Sequence, residues 1–309
     1  MTPRPKIDVI IPTYKPDRSL RDLIRLLLSQ SVELGHILVV NTCEEYWNDN
    51  VIKGLNRVEV FHISKKEFDH AETRNLGAGF SDADYLLFMT QDAVPVNRYM
   101  VERLLDAFRN PVVKAAYARQ LPRKDCILTE GCVRYFNYPP VSAVHTYADL
   151  PELGIKTYFC SNVCAMYEYF TFRKMGGFSA PAIFNEDMVY AARIEHLGYG
   201  VAYAADALVY HSHNYTNRQQ FRRNFDNGVS QAMHPEIFSS VPSAHEGSEL
   251  VKYVLKFLRQ KGRIYLIPGF LVQCACRLAG FRLGRMYKYL PPNVVRRCSS
   301  NPEFFSGKH

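Results

Sequence analysis

The eight cysteines of this 309-residue chain include no C-x-x-C pair, and there is no His/Cys array at zinc-site spacing. The cysteines therefore read as small buried apolar residues in a reducing cytoplasm. No G-x-G-x-x-G closes the first strand, because Pro12-Thr13-Tyr14-Lys15-Pro16 stands there. That argues against an NAD-type oxidoreductase on a doubly wound sheet. Glycine and proline, 17 each, are near average and 47% of residues are hydrophobic, which excludes collagen and wholesale disorder. The opening Met1-Thr2-Pro3-Arg4-Pro5 shows no secretory signal. The uncharged run Ile264–Cys276 has 13 residues and is broken by Pro268-Gly269, so it reads as too short to span a bilayer.

The net charge of +8 is distributed unevenly. From Glu246 to His309 there are 12 Lys+Arg against 3 Asp+Glu, so the preceding residues are close to neutral. A nucleic-acid binder spreads basic residues across its main domain, so no nucleic-acid partner is expected. The tail needs its own explanation. Leu250, Val251, Val254, Leu255 and Leu258 form an apolar face opposite Lys252, Lys256 and Arg259, which predicts a basic amphipathic helix.

Residues 6–118 alternate strand and helix patterns, β-α-β-α-β-α-β, starting from the apolar run Ile7–Ile11. Right-handed crossovers put the strand C-termini on one edge, where open α/β sheets bind ligands. The stretch 118–157 reads as irregular and as a candidate binding loop. Strands over 158–167 and 200–210 and helices over 186–196 and 216–233 follow. Residues 234–247 read as a linker between a domain over 1–233 and a helical extension over 248–309.

Four groups of residues could carry chemistry. Asp92, in Thr90-Gln91-Asp92 after the fourth strand, is placed to hold a cation on a diphosphate, although a lone Asp there also suits a turn. Glu186-Asp187 open a helix; they favour its dipole, and one could act as a general base. His211 and His213 are spaced for a metal or for an ordinary histidine pair. Arg74 and Asn75 suit either a nucleotide or a solvated face.

In combination these motifs resemble the family 2 glycosyltransferases. The order is Ile10-Ile11-Pro12-Thr13-Tyr14, Arg74-Asn75-Leu76-Gly77, Gln91-Asp92-Ala93-Val94-Pro95, Met175-Gly176-Gly177-Phe178 and Glu186-Asp187. With His211-Ser212-His213-Asn214-Tyr215-Thr216 and the segment Gln219–Gly228, the chain looks most like bacterial rhamnosyltransferases that use dTDP-L-rhamnose. The resemblance covers about residues 6–233. It implies a GT-A fold, a mostly parallel sheet flanked by helices, here with a basic amphipathic C-terminal extension.

Residue by residue, the resemblance implies a nucleotide-sugar site formed by Pro12, Thr13, Tyr14, Glu44, Arg74, Gln91, Asp92, Arg222 and Arg223. Glu44 is the candidate where the family's second strand ends in an acidic residue. Since successive helical residues point about 100° apart, at most one of Arg222 and Arg223 closes over the diphosphate. Thr90 replaces the first carboxylate of the family's Asp-x-Asp, so Asp92 would share a divalent cation, Mg or Mn, with His211 or His213. Asp187 matches the catalytic base, its pKa raised by Glu186, and Ser161 and Asn162 match a sugar and acceptor loop on the strand before Met175. The activity implied is transfer with inversion onto a lipid-linked saccharide in cell-surface polysaccharide synthesis. A UDP-sugar donor or an inactive nucleotide-binding module are the alternatives. The extension is expected to pack on the catalytic domain or across a homodimer interface, and to hold the enzyme peripherally on the anionic inner face of the cell membrane.

Overall fold

In a computed structural model of the chain, which describes residues 5–239, 241 and 244–306, the first half is built as four parallel strands. β1 (Ile7–Tyr14), β2 (Ile37–Thr42), β3 (Val58–Ile63) and β4 (Tyr85–Met89) lie in the order β3-β2-β1-β4. Alternate residues of β1 serve two cores. Val9 and Ile11 pack with Leu23 and Leu27 of α1 (Arg18–Leu28), while Ile10 packs on the other face with Leu38 and Phe88. Each such fully buried side chain contributes about 1.5–3 kcal/mol. α2 (His70–Gly79) lies against β1 at Gly77, where an added Cβ would meet Ile10.

The connection from β2 to β3 differs from the expected helix. It holds two short 3-10 turns, Glu44–Tyr46 and Asn-capped Asp49–Val51, with Val51 its only buried residue among those two turns. No apolar stripe at helical spacing is available there to pack a longer helix.

The second half is mixed. Its elements are β5 (Val94–Pro95), α3 (Met100–Asp106), β6 (Val113–Leu121), α4 (Leu128–Asn137), β7 (Ala143–Thr146), α5 (Leu150–Leu153), β8 (Cys164–Glu168), α6 (Tyr169–Lys174), α7 (Glu186–Glu195), β9 (Gly200–Tyr210) and α8 (Asn217–Met233). β8 is antiparallel to both β4 and β6, β9 runs parallel to β6, and β5 and β7 pair antiparallel with β9. The stretch expected to be irregular thus contains α4 and β7. The strand expected over 158–167 starts only at Cys164, so Ser161 and Asn162 lie in the turn before it.

Four short or long helices follow: α9 (Pro235–Phe238), α10 (Ala244–Gln260), α11 (Ile267–Arg285) and α12 (Pro292–Cys298). The segment expected to be a linker is built into the fold where it is described, since Ile237, Phe238 and Val241 are buried against Tyr158, Val189 and Ala192. Ser240, Pro242 and Ser243 of that segment, like Met1–Arg4 and Gly307–His309, lie outside the described residues.

The uncharged run of 13 residues also turns out to be part of a longer element. Helical structure continues past Arg277, and Ile264–Arg285 is by length and composition long and apolar enough to cross a membrane. One of its faces is packed along α8. A Cβ at Gly228, Gly280 or Gly284 would run into a backbone carbonyl of the opposing helix, so these three glycines let the two backbones touch. α10 covers Cys132 and Val133 of α4 through Val254 and Leu258. Other apolar side chains of the extension stay outside, among them Tyr265, Leu271, Val272, Leu278 and Tyr289.

Candidate active site

The short ladder between β5 and β9 assembles the first half of the site. It pairs Val94 with Tyr210, which brings Asp92, two residues before Val94, against His211, the residue after Tyr210. Asp92 Oδ2 lies 3.2 Å from His213 Nε2 and 3.5 Å from His211 Nε2, and the two Nε2 atoms are 3.1 Å apart. Both expected histidines therefore converge on Asp92.

Gln120 of β6 orients this cluster, and sequence reasoning missed it. Its Oε1 accepts from Arg134 Nη1 of α4 and lies 2.9 Å from His211 Nδ1. An amide oxygen there requires the proton on Nδ1, so the lone pair of Nε2 faces Asp92. Burial pushes His211 below the ordinary imidazole value, and burial together with His211 pushes His213 down to about 4. Burial, the largest single influence, would raise Asp92, but its surroundings at His211, Thr90 and His213 together outweigh it and hold the carboxyl well below the usual range. One carboxylate and two neutral imidazoles within 4.8 Å of one another form a donor set that fits a divalent cation.

The second half is the start of α7. Asn185, in the left-handed conformation at φ 60°, turns the chain so that Glu186 and Asp187 enter the first helical turn. Asn162 then holds both carboxylates. Its backbone N–H donates to Asp187 Oδ2 at 2.8 Å and its Nδ2 donates to Glu186 Oε1 at 2.9 Å, while Tyr167 Oη donates to its Oδ1. Ser161 Oγ accepts from Gln120 Nε2 at 3.0 Å. Both residues expected at a sugar subsite are thus engaged in positioning the carboxylates and the Gln120 hub.

Arg74 is likewise turned inward. It is buried, 3.3 Å from Glu186 Oε1, and does not lie on a solvated face. Asn75 clamps the backbone of Phe178 with two 2.9 Å hydrogen bonds. This arrangement separates the two adjacent carboxyls. Burial is the largest influence on Glu186, but the charges of Arg74 and His70 and the hydrogen bond from Asn162 together outweigh it and lower Glu186, whereas burial first and the negative charge of Glu186 second push Asp187 up to about 7. The rise expected from Glu186 is present, but burial is its larger cause. Asp187 remains partly exposed.

Along the C-terminal edge of β1 and β2, Thr13 Oγ1 donates to Asn41 Oδ1 at 3.1 Å. The Gln91 amide pairs with both the N–H and the C=O of Tyr14, so it fixes the turn after Pro12 and has less left to offer a nucleotide. Glu44 is exposed at the end of β2. Tyr14 and Tyr46 meet edge to face at 5.8 Å, with Lys15 Nζ 4.4 Å from the Tyr46 ring, an aromatic ledge whose Tyr46 half no motif revealed.

Arg222 and Arg223 separate as helical geometry requires. Arg223 lies over the rings of Phe184 and Tyr215, 4.5 and 5.5 Å away, and Tyr215 stacks on His213. The charge of Arg222 instead reaches Cys298 of the extension, where it partly offsets the rise that burial causes in that thiol.

The chain has counterparts among known proteins. Residues 8–176 match the model of the family described as Glycosyl transferase family 2. The chain belongs to that family. This glycosyltransferase is 35% identical over 303 residues to the O-antigen chain rhamnosyltransferase RfbN of Salmonella typhimurium, covering 97% of this chain and 96% of the relative. It is 33% identical over 305 residues to the O-antigen chain rhamnosyltransferase WbaN of Salmonella anatum, at 98% and 96% coverage. Among solved structures, a mannosyltransferase from Pyrobaculum calidifontis in complex with GDP-Man and Mn2+ aligns with TM-score 0.57 and 13% identity over 99% of this chain and 86% of that one. S. aureus TarS 1-349 aligns with TM-score 0.55 and 14% identity over 95% and 83%. The glycosyltransferase therefore has the expected α/β fold with a helical C-terminal region.

Proposed function

We propose that this glycosyltransferase transfers L-rhamnose from dTDP-L-rhamnose, with inversion, onto a lipid-linked saccharide in cell-surface polysaccharide synthesis. The observation that carries the reading is the near-full-length identity to two O-antigen rhamnosyltransferases, extension included. The site supplies compatible chemistry. Asp187 Oδ1 and Oδ2 each accept one backbone N–H, which fixes the carboxylate while leaving a lone pair for an acceptor hydroxyl. Asp187 removes the hydroxyl proton as that oxygen attacks the anomeric carbon, and the bond to the nucleoside diphosphate breaks on the opposite side. Asp92, His211 and His213 would hold a divalent cation, which when bound neutralises charge on the departing diphosphate. Arg223 adds positive charge beside that cluster.

The extension suits a lipid-borne acceptor. It carries most of the excess positive charge, and its exposed apolar side chains include Tyr265 and Tyr289, 68% and 85% exposed. In this reading the enzyme sits peripherally on the anionic cytoplasmic face of the membrane, where each basic residue near the surface adds about 1 kcal/mol. Donor hydrolysis across a panel of nucleotide sugars, with and without chelator, tests the proposal. Turnover of dTDP-L-rhamnose above all others is the expected outcome, and preference for a UDP-sugar would contradict it.

A further inference from the structure

Beside the carboxylate–imidazole cluster, among α4, α8 and α11, lies a polar cavity of about 170 Å³. Its wall carries three guanidinium groups, Arg134, Arg223 and Arg277, against a single carboxylate, Glu130. Glu130 is shared, with Oε1 3.0 Å from Arg134 Nη2 and Oε2 3.5 Å from Arg277 Nη2. Arg223 makes no ion pair among the described residues and rests on aromatic rings. Arg134 also donates to Gln120 Oε1, and Arg277 Nη2 lies 3.4 Å from Gln273 Oε1, both neutral acceptors that leave the guanidinium charge unbalanced. Three cations thus share one carboxylate along the wall of a small cavity, which leaves it with an excess of positive charge.

We propose that this cavity is a second anion subsite that takes a phosphoryl group of a substrate, separate from the Asp92–His211–His213 cluster. A tetrahedral phosphate offers several acceptor oxygens and the negative charge that the wall lacks, and guanidinium groups match its geometry. Two sources carry such a group: the diphosphate of the donor, and the phosphate that joins an acceptor saccharide to its lipid. The second source rests on the reading of a lipid-linked acceptor given above. It is favoured by the wall that comes from the extension, since Arg277 lies on α11, the helix that also exposes Leu271, Val272 and Leu278. A phosphate bound there would sit between the apolar surface of the extension and the carboxylates of α7.

The test is direct binding to the full-length protein, by calorimetry, of two sugar-free probes: dTDP and decyl diphosphate. Arg277→Met keeps the packed stem and removes the charge. It is expected to weaken decyl diphosphate roughly tenfold or more while leaving dTDP unchanged, in line with the loss of a charge-assisted hydrogen bond. Weakening of dTDP alone would keep the anion subsite and assign it to the donor. Glu130→Gln removes the competing carboxylate and is expected to tighten the same probe, whereas a purely structural Arg–Glu–Arg network would make both variants lose binding together with thermal stability. Unchanged affinity of both variants for both probes would overturn the proposal. Because neither probe carries a sugar, the outcome is independent of which donor the enzyme uses.

Discussion

Gln120 Oε1 lies 2.9 Å from His211 Nδ1, at the crossing of two halves of the site. The same amide donates to Tyr138 Oη and Ser161 Oγ, and Ser161 leads into the turn that holds Glu186 and Asp187. Replacing Gln120 with Leu leaves His211 free to rotate or to take the wrong tautomer. The expected result is a loss of Mn affinity of about 10–100-fold, the usual effect of removing a group that orients a metal-binding histidine. Titration of the apo protein with Mn, followed by electron paramagnetic resonance, measures it directly. Unchanged affinity would show that Gln120 plays no part in holding the ion.

Asp187 works as a base only when ionised, so its raised pKa sets the acidic limb of activity. As pH falls through about 7, kcat/KM is expected to fall with it. Glu186→Gln removes the neighbouring negative charge and leaves the Arg74 cation close by, so the limb should move to lower pH. Asp187→Asn should abolish transfer while leaving dTDP binding intact. A pH–rate profile of the three proteins checks all of this, and a limb that moves upward in Glu186→Gln would contradict the assignment.

A second buried carboxyl affects stability and not chemistry. Glu195 is buried at the far end of α7, neither of its oxygens has a hydrogen-bond partner, and burial, aided by Asp149, pushes its pKa up to about 9. The folded state thus holds a proton that the unfolded state releases near the ordinary glutamate value. Stability should therefore be full at low pH and decline as pH rises from about 4.5 toward 9, by at most about 1.4 kcal/mol per pH unit. Glu195→Gln should remove that dependence, which urea melts at pH 6 and pH 9 would reveal.

The membrane reading separates from folding because the exposed and packed faces of the extension differ. Deleting the extension would strip the cover from α8, so point substitutions are the better probe. Tyr265→Ser, Leu271→Ser and Tyr289→Ser together should reduce sedimentation with phosphatidylglycerol vesicles severalfold and leave the melting temperature nearly unchanged. Gly284→Leu should do the reverse, lowering stability because its side chain has no room against Phe225. Equal vesicle binding by the triple variant and the parent would count against attachment through this surface.

The parallel half of the sheet was legible because strands covered on both faces are continuous apolar runs, as at Ile7–Ile11 and Ile37–Val40. Asp92, Asp187 and the two histidines could be named from their places after strands and at a helix start. Their convergence could not, since it depends on a two-residue strand, Val94–Pro95, too short to leave a periodicity. Gln120 and Arg134 were invisible for the same reason: each is an ordinary polar residue until a long-range contact gives it a partner. Ser161 and Asn162 were expected at a sugar and acceptor loop, and no local pattern announced that their hydrogen bonds run to Gln120 and the α7 carboxylates. Gly280 and Gly284 permit a close approach of α11 to α8, which no periodicity of the sequence announces.

The most direct test of the central claim is transfer by the purified enzyme from dTDP-L-rhamnose to a lipid-linked saccharide, with product stereochemistry read by nuclear magnetic resonance. The expected result is an inverted rhamnosyl linkage, formed with Mn, abolished by chelation and absent in Asp187→Asn. A retained anomeric configuration, or full activity in Asp187→Asn, would contradict the account.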